Sequence, residues 1–574
     1  MNKKLLTMGL AALLMAGCSS DDVVVGEGDN GGASAVKGYV GLTITMPTGA
    51  GSRAVSYDDG AEGEYKVNDV TLVFSKWNDG THKHDIVQVT KFTSTDWQKE
   101  TGSDDITSAS VLPVVPVADA EAKSVLVLVN SSDVFDVVSS TYDTETGENT
   151  VKTSGSIKLK GAGSTYATIE DLEAVQTLTA DKYYGTPRGW FMANASIENA
   201  LNIDANDAHK QLVTITPQKS KEAAMADAKN NVIYVERAVA KVSLTLDDAS
   251  VSEKTFDCTG AGFTDDDVTI NGWALDITNK STFPLRRINT SWPDLDRFAP
   301  APAAGHPQRY EWSVDNNYSS YTPATDPATD FLRAASAAES CANSLYCLEN
   351  TFTIANMKQD GTTRAILRGQ YVPDGIAQGE VNTNGIFRLG ESVKFYSKAD
   401  MLAKVKKAAI DAGVTGVESA DVEQLKVGKN DFSFTDGEDN EIVIKDNMAA
   451  PILLTDAQKT AIKGMLGQLT YYIQGYCYYP VRIRHFADTP TPDTYVDGVK
   501  AWEGEGSYDT DERWLGRYGV VRNNSYVINV TSVKAPGSPT IPEPTQNIDD
   551  EEFYYIQATV KVLSWTKRSQ NVEL

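Results

Sequence analysis

A chain of 574 residues with a formal net charge of −26 at pH 7 is a poor partner for nucleic acid or an anionic membrane surface, since either polyanion would repel it. The length allows two to four ordinary domains. Hydrophobic residues at 41% and charged residues at 23% describe globular material, not a disordered tail.

The chain opens with an export signal. Lys3 and Lys4 form a basic start, and Leu5–Ala16 is an apolar stretch too short to span a bilayer. It ends in "LLMAGC", a lipobox in which Cys18 would be acylated and become the new N-terminus; residues 1–17 would be the removed signal peptide. The following "CSSDD" resembles the surface-export signal of Bacteroidota lipoproteins. Ser19–Ser34, rich in Gly, Asp and Ser, reads as a tether.

The first strand runs from Tyr39 to Pro47. Val40, Leu42, Ile44 and Met46 alternate with Gly41, Thr43 and Thr45, the period-two pattern of a half-buried strand. Pro47 and "TGAGS" end it. Arg53 follows, the one basic residue between Lys37 and Lys66, with Gly51, Ser52 and Ala54 beside it. Such small, polar surroundings are where proteases nick chains.

Downstream the sequence is a succession of short β-runs. Asp69–Trp77 and Ser124–Asn130 are strands, the second apolar enough to be central. Val235–Asp248, Ala365–Val372, Gly385–Ser397, Tyr478–Phe486 and Asn524–Val533 continue the series. Helical periodicity is confined to Ile169–Leu178, to Ser397–Gly413 with Ser397 as N-cap and Gly413 as C-cap, and to Thr455–Leu469. Strands with sparse helices point to a mainly β chain of two β-sandwiches with a few short helices, and the boundary falls near Asn230, before "NVIYVERAVAK". Lys534–Glu552 is a Pro-rich, acidic linker expected to be extended and fairly stiff. One last strand follows from Phe553. In it Ile556, Ala558, Val560 and Val562 share a face, with Trp565 beyond the centre.

Catalytic and metal motifs are missing from this reading. Five histidines are scattered, and His82–His84 puts two imidazoles on one strand face without a third ligand. Thr435–Glu441 and Tyr57–Glu64 have calcium-like oxygens without the spacing of a calcium loop, so both read as acidic turns. The sequence calls for no cofactor, no metal and no enzyme activity. Beyond Cys18 the cysteines are Cys258, Cys341, Cys347 and Cys477. Four allow three pairings, and Cys341 and Cys347 could close a small loop; free buried thiols are the alternative.

The C-terminal part carries a family resemblance. "VVRNNSYVINVTSV" (Val520–Val533), the Pro-rich segment and "ATVKVLSWTKRSQNVEL" (Ala558–Leu574) closely resemble the end of Bacteroidales fimbrillins, the Mfa-type structural subunits of type V pili. "VERAVAKVSL" (Val235–Leu244), "CLENTF" (Cys347–Phe352) and "TTRAILRGQYVP" (Thr362–Pro373) resemble further stretches of that family, as do the lipobox and the strand-then-Arg layout. The resemblance implies two transthyretin-like β-sandwich domains (54–230 and 231–533), a linker (534–552) and a C-terminal donor strand (553–574). It also implies an outer-membrane lipoprotein precursor whose lipidated propeptide (18–53) is cut between Arg53 and Ala54 by an Arg-specific protease. Losing the strand of Val40, Leu42, Ile44 and Met46 opens a groove. The donor strand of another fimbrial subunit fills it, and the polymer stands on the cell surface and supports adhesion. Competing readings are an anchor or tip subunit, or a monomeric glycan-binding surface lipoprotein.

Overall fold

The computed structural model describes residues 38–45, 66–93, 122–143, 150–175, 189–198, 202–228, 230–263, 265–292, 308–318, 331–390, 392–417, 454–486 and 512–549, with short stretches between them and the backbone of 556–564 and 567–568. Cys18, Met46, Arg53, Ala54 and Trp565 lie outside the described residues.

The first apolar core is built on a mixed sheet. Its strands are β1 (Gly38–Val40), lying beside the sheet, and then β2 (Thr43–Thr45), β3 (Asp69–Asn78), β4 (Lys83–Thr93), β5 (Ser110–Val111), β6 (Ser124–Val129), β7 (Met192–Asn194) and β8 (Val232–Arg237). The order across the sheet is β4-β3-β6-β7-β8-β2-β5. β6, "SVLVLV", is buried at all six positions and flanked on both sides, as its unbroken apolar run requires.

β8 continues through Ala238 into β9 (Val239–Leu246), which belongs to the second core. The chain therefore changes core one strand later than the boundary expected near Asn230, because Val232–Arg237 pairs with β7 and β2 of the first sheet. The second core lies between two sheets. One runs β12 (Leu345–Leu348), β9, β18 (Asn524–Val533), β19 (Ile556–Ser564). The other runs β10 (Lys254–Asp257), β11 (Asp267–Asp276), β13 (Arg364–Val372), β17 (Tyr476–Arg482). Val242, Trp273, Leu367, Tyr479 and Ile528 meet between them.

A third apolar cluster stands outside the two-sandwich expectation. Between the paired neighbours β13 and β17 the chain inserts β14 (Ile386–Leu389), β15 (Phe395–Tyr396), helix α1 (Lys398–Asp411), helix α2 (Asp456–Leu466) and β16 (Leu469–Tyr472). They pack Phe387, Met401, Val405, Ile462 and Leu469 into a core of their own. The run Gly385–Ser397, expected as one strand, is two antiparallel strands, turned at Gly390 with φ +54°. Both helices start as their caps dictate. Ser397 Oγ accepts from the Asp400 N–H, and Thr455 and Gln458 form a capping box.

The Pro-rich segment is also not a free spacer. From Lys534 to Asp549 it is laid along the second core. Ser538 and Tyr478 exchange backbone hydrogen bonds at 2.7 and 3.0 Å, and Tyr479 Oη donates to the Ala535 carbonyl at 3.1 Å. The Arg364 guanidinium donates to the Pro542 carbonyl, and the Gln359 N–H to the Asn547 carbonyl at 2.9 Å. At its end the buried Asp549 gives its N–H to Met357, and its carbonyl accepts from Arg482 Nε at 3.0 Å. Gly537 permits the close approach: a Cβ there would stand 2.4 Å from the Tyr478 carbonyl oxygen.

Candidate assembly site

The N-terminal strand reading can be followed side chain by side chain as far as Ile44. Val40, Leu42 and Ile44 are at most 1% exposed and share one apolar cluster with Val70, Leu72, Leu126, Ile233 and Val235. Burying three such side chains is worth about 5–9 kcal/mol gross. The expected single strand is broken in two at Gly41, which passes under the helix Lys221–Asp227: a Cβ on Gly41 would stand 2.2 Å from the Ala224 carbonyl oxygen. β1 pairs with residues Val115–Val117, and Tyr39 exchanges hydrogen bonds with Gln218 at 2.7 and 2.8 Å. β2 runs parallel to β8 and antiparallel to β5. Asn231 is the residue that fixes the crossing: its carbonyl accepts from the Thr43 N–H at 3.1 Å, and its Nδ2 donates to the Gly41 carbonyl at 3.0 Å. Taking β2 away would bare the edge of β8 and the apolar floor beneath it, an adhesive combination.

At the other end of the chain, the backbone of β19 lies antiparallel along β18, Val533 opposite Ile556 and Asn524 opposite Ser564. Ile556, Ala558, Val560 and Val562 thus sit on the sheet of their own second core in the single chain. The backbone of Lys567–Arg568 pairs in turn with Val55–Ser56, just beyond Arg53 in sequence.

Where the two cores meet, charged side chains are buried in pairs. Arg286 spans Glu236 with two bonds, Nε to Oε1 at 2.6 Å and Nη2 to Oε2 at 3.0 Å. The Arg522 guanidinium donates to Glu349 and, through Nη2, to the Phe283 carbonyl at 2.8 Å. Burial raises the Glu349 carboxyl, but the Arg522 charge and hydrogen bond outweigh that and hold it below the ordinary range. Asn523 Oδ1 accepts from the Arg237 N–H at 3.2 Å. Nearby, Asp276 binds Arg364 and Arg333 at 2.8 and 2.9 Å. These residues come from the very stretches that resemble the family: Glu236 and Arg237, Glu349, Arg364, Arg522 and Asn523. The signal that the sequence carries for them is a charged side chain embedded in an apolar run.

Of the histidine pair, His82 sits in a turn at φ +52°, while His84 is buried. His84 Nδ1 meets Glu170 at 2.8 Å, and Nε2 faces Asp204 at 3.4 Å. All four cysteines beyond residue 18 that the sequence offered are buried free thiols, Cys341 and Cys347 included, so the small loop they could close is not closed here. Burial pushes the Cys341 thiol up to about 11 and the Cys347 thiol to about 12, which leaves both unreactive. Among the described residues no cluster of His, Cys, Asp and Glu is arranged to hold a metal ion, and no helix is long and apolar enough to cross a membrane.

Comparison with known proteins bears on the C-terminal end. Residues 502–571, which include β18, the Pro-rich segment and β19, match the family of the major fimbrial subunit protein type IV, fimbrillin, C-terminal. That family describes the C-terminal portion of a fimbrial subunit. The family that this stretch matches is the one that the motifs at Val520–Val533 and Ala558–Leu574 resemble. No curated protein matches the sequence. Among solved structures, a fimbrilin from Porphyromonas gingivalis is 13% identical over 92% of this chain and 99% of its own, with a TM-score of 0.32. The tip fimbrial protein Mfa3 of the same organism is 12% identical over 92% and 100%, with a TM-score of 0.28. A protein assigned to cell adhesion from Parabacteroides distasonis is 10% identical over 94% and 99%, with a TM-score of 0.35.

Proposed function

We infer that the chain is a structural subunit of a surface fimbria that polymerises by exchanging its first strand for the last strand of a neighbour. The observation that carries this reading is the burial of Val40, Leu42 and Ile44 in the first core, with β2 inside the sheet and only a short sequence separating it from Arg53. A strand so buried, yet so close to a lone arginine among small residues, is a plug that one cut makes removable. In this reading the precursor is an outer-membrane lipoprotein anchored by Cys18, with two transthyretin-like β-sandwich domains built on the two main cores. An Arg-specific protease cuts between Arg53 and Ala54. The face of Ile556, Ala558, Val560 and Val562, anchored by Trp565, then enters the groove left by Val40, Leu42, Ile44 and Met46 of another subunit. The backbone bonds of the added strand contribute about 0.5–1.5 kcal/mol each beyond the apolar burial.

The test is direct. Purified precursor treated with a low dose of trypsin should give a ladder on an unboiled gel, and Arg53→Ala should abolish it. An Arg53→Ala protein that ladders normally removes that residue from the mechanism.

A tip subunit is the second reading, favoured by the inserted lobe of β14–β16, α1 and α2, which has a sheet and an apolar cluster of its own besides the side chains of Ile386, Phe395 and Tyr472 that it lends to the second core. Immunogold labelling that marks fibre ends alone would support it; labelling along the whole fibre would support the shaft.

A further inference from the structure

We propose that residues 534–549 are a strap that fixes where the C-terminal strand leaves its subunit, so that a second copy of this chain must dock its first core directly against the surface around Asp549. The proposal rests on the strand-exchange reading above and adds the place and closeness of the contact. Four prolines in this segment suggest a spacer that could hold subunits apart, and over its full length an extended chain of that composition would reach tens of ångströms at about 3.1 Å per residue. That reach is not available. Tyr478, Tyr479, Arg364, Gln359, Met357 and Arg482 hold the segment at successive points, ending in the buried Asp549. Thr362 Oγ1 also donates to Asp549 Oδ2 at 3.2 Å, and Ile548 packs against the small cluster of Phe352, Met357 and Trp514. The fastening continues to the end nearest the donor strand.

Six residues, 550–555, separate Asp549 from Ile556, the first residue of the face that enters the groove. Seven chain steps span at most about 23–25 Å. A donor strand on such a tether can enter only a groove whose mouth lies within that reach of Asp549. Subunits are then held face to face rather than strung on flexible links, and the surface at the half-buried Gln359 and Ile548 is where the second copy sits.

The experiment uses the full-length precursor cut with trypsin. Deleting residues 550–552 leaves both the strap and the donor strand intact. It should lower polymer yield by about ten-fold or more, since a tether that cannot span its sites has an effective concentration near zero. Adding Ile548→Ser and Asp549→Ser to that deletion unfastens the end of the strap, hands its residues to the tether and should restore polymers. Melting curves of both variants establish that they fold. If the deletion variant folds and polymerises like the wild type, the strap does not set the reach and the proposal is wrong. If the wild type itself gives no ladder, and a synthetic peptide of residues 553–574 does not bind the cut subunit, the strand-exchange reading fails and the proposal goes with it.

Discussion

His84 is the residue whose protonation most visibly holds elements together. Its ring touches Trp77 edge-on at 4.8 Å, and it joins β4 to the helix Ile169–Glu173 through Glu170 and to the segment carrying Asp204, which also binds Ser124 of β6. Burial alone would lower its pKa, but hydrogen bonds and charge attraction from Asp204 and Glu170 prevail and raise it from 6.5 to about 9. A raised histidine stabilises fully below its unfolded value and loses that contribution as pH rises through its folded value. The melting temperature should therefore fall between pH 6.5 and about 9, with roughly 1–3 kcal/mol at stake. His84→Gln should start lower and show a flatter profile across that window. Equal slopes for the two proteins would mean that His84 carries no charge in the fold. On the acid side the partner behaves oppositely. Asp204 is held down to about 2, so its contribution is present above 3.8 and is lost as pH falls towards 2.

At the scale of elements, the removable strand makes a prediction that an ordinary core strand would not. Leu42 lies between β1 and β2, fully buried. Leu42→Ala should cost the precursor about 2–5 kcal/mol, as large-to-small changes in a packed core do. After cleavage and loss of residues 1–53 the same variant should melt together with the cut wild type, because the altered side chain is gone. Thermal melts taken before and after trypsin decide this. A difference that persists after cleavage would mean that the strand stays in its groove. The break at Gly41 belongs to the same scale. Alternation along Tyr39–Pro47 is right for a strand, but the helix Lys221–Asp227 crosses so close that no side chain fits at that point, and the ladder is interrupted there.

For the whole molecule, the question is whether the C-terminal strand is needed by its own subunit. β18 is paired in parallel with β9 from Lys241–Ser525 to Leu246–Val530, and Tyr526, Ile528 and Val530 belong to the second core, which has its facing sheet on the other side. Deleting Phe553–Leu574 should therefore give a folded protein with near-normal melting temperature that no longer polymerises after cleavage. Circular dichroism melts and unboiled gels measure both properties. If the truncated chain unfolds, the strand is an integral part of its own domain and the donor assignment is lost. The strap should be indifferent to this truncation, since its bonds end at Asp549.

Much of this was legible from local pattern. The strands at Asp69, Ser124, Ala365 and Asn524, the capped helices at Ser397 and Thr455, and the paucity of catalytic motifs follow from periodicity, caps and composition, which act over a few residues. The C-terminal motifs likewise sufficed to point to the fimbrillins. What the sequence could not decide was which segments would lie against one another over long separations. Gly385–Ser397 carries strand residues throughout, and only packing against α1 and β16 divides it. Lys534–Asp549 reads as a spacer because prolines stiffen a chain whether or not it is bound, and its hydrogen bonds go to residues tens to nearly two hundred positions away. Glu236, Arg286, Glu349 and Arg522 look like surface charges until the fold buries them opposite each other. Local sequence fixes the backbone's preferences. Which polar groups are taken out of water, and with which partners, is a property of the assembled cores, because the cost of burying each one is met only by a group that the chain brings from far away.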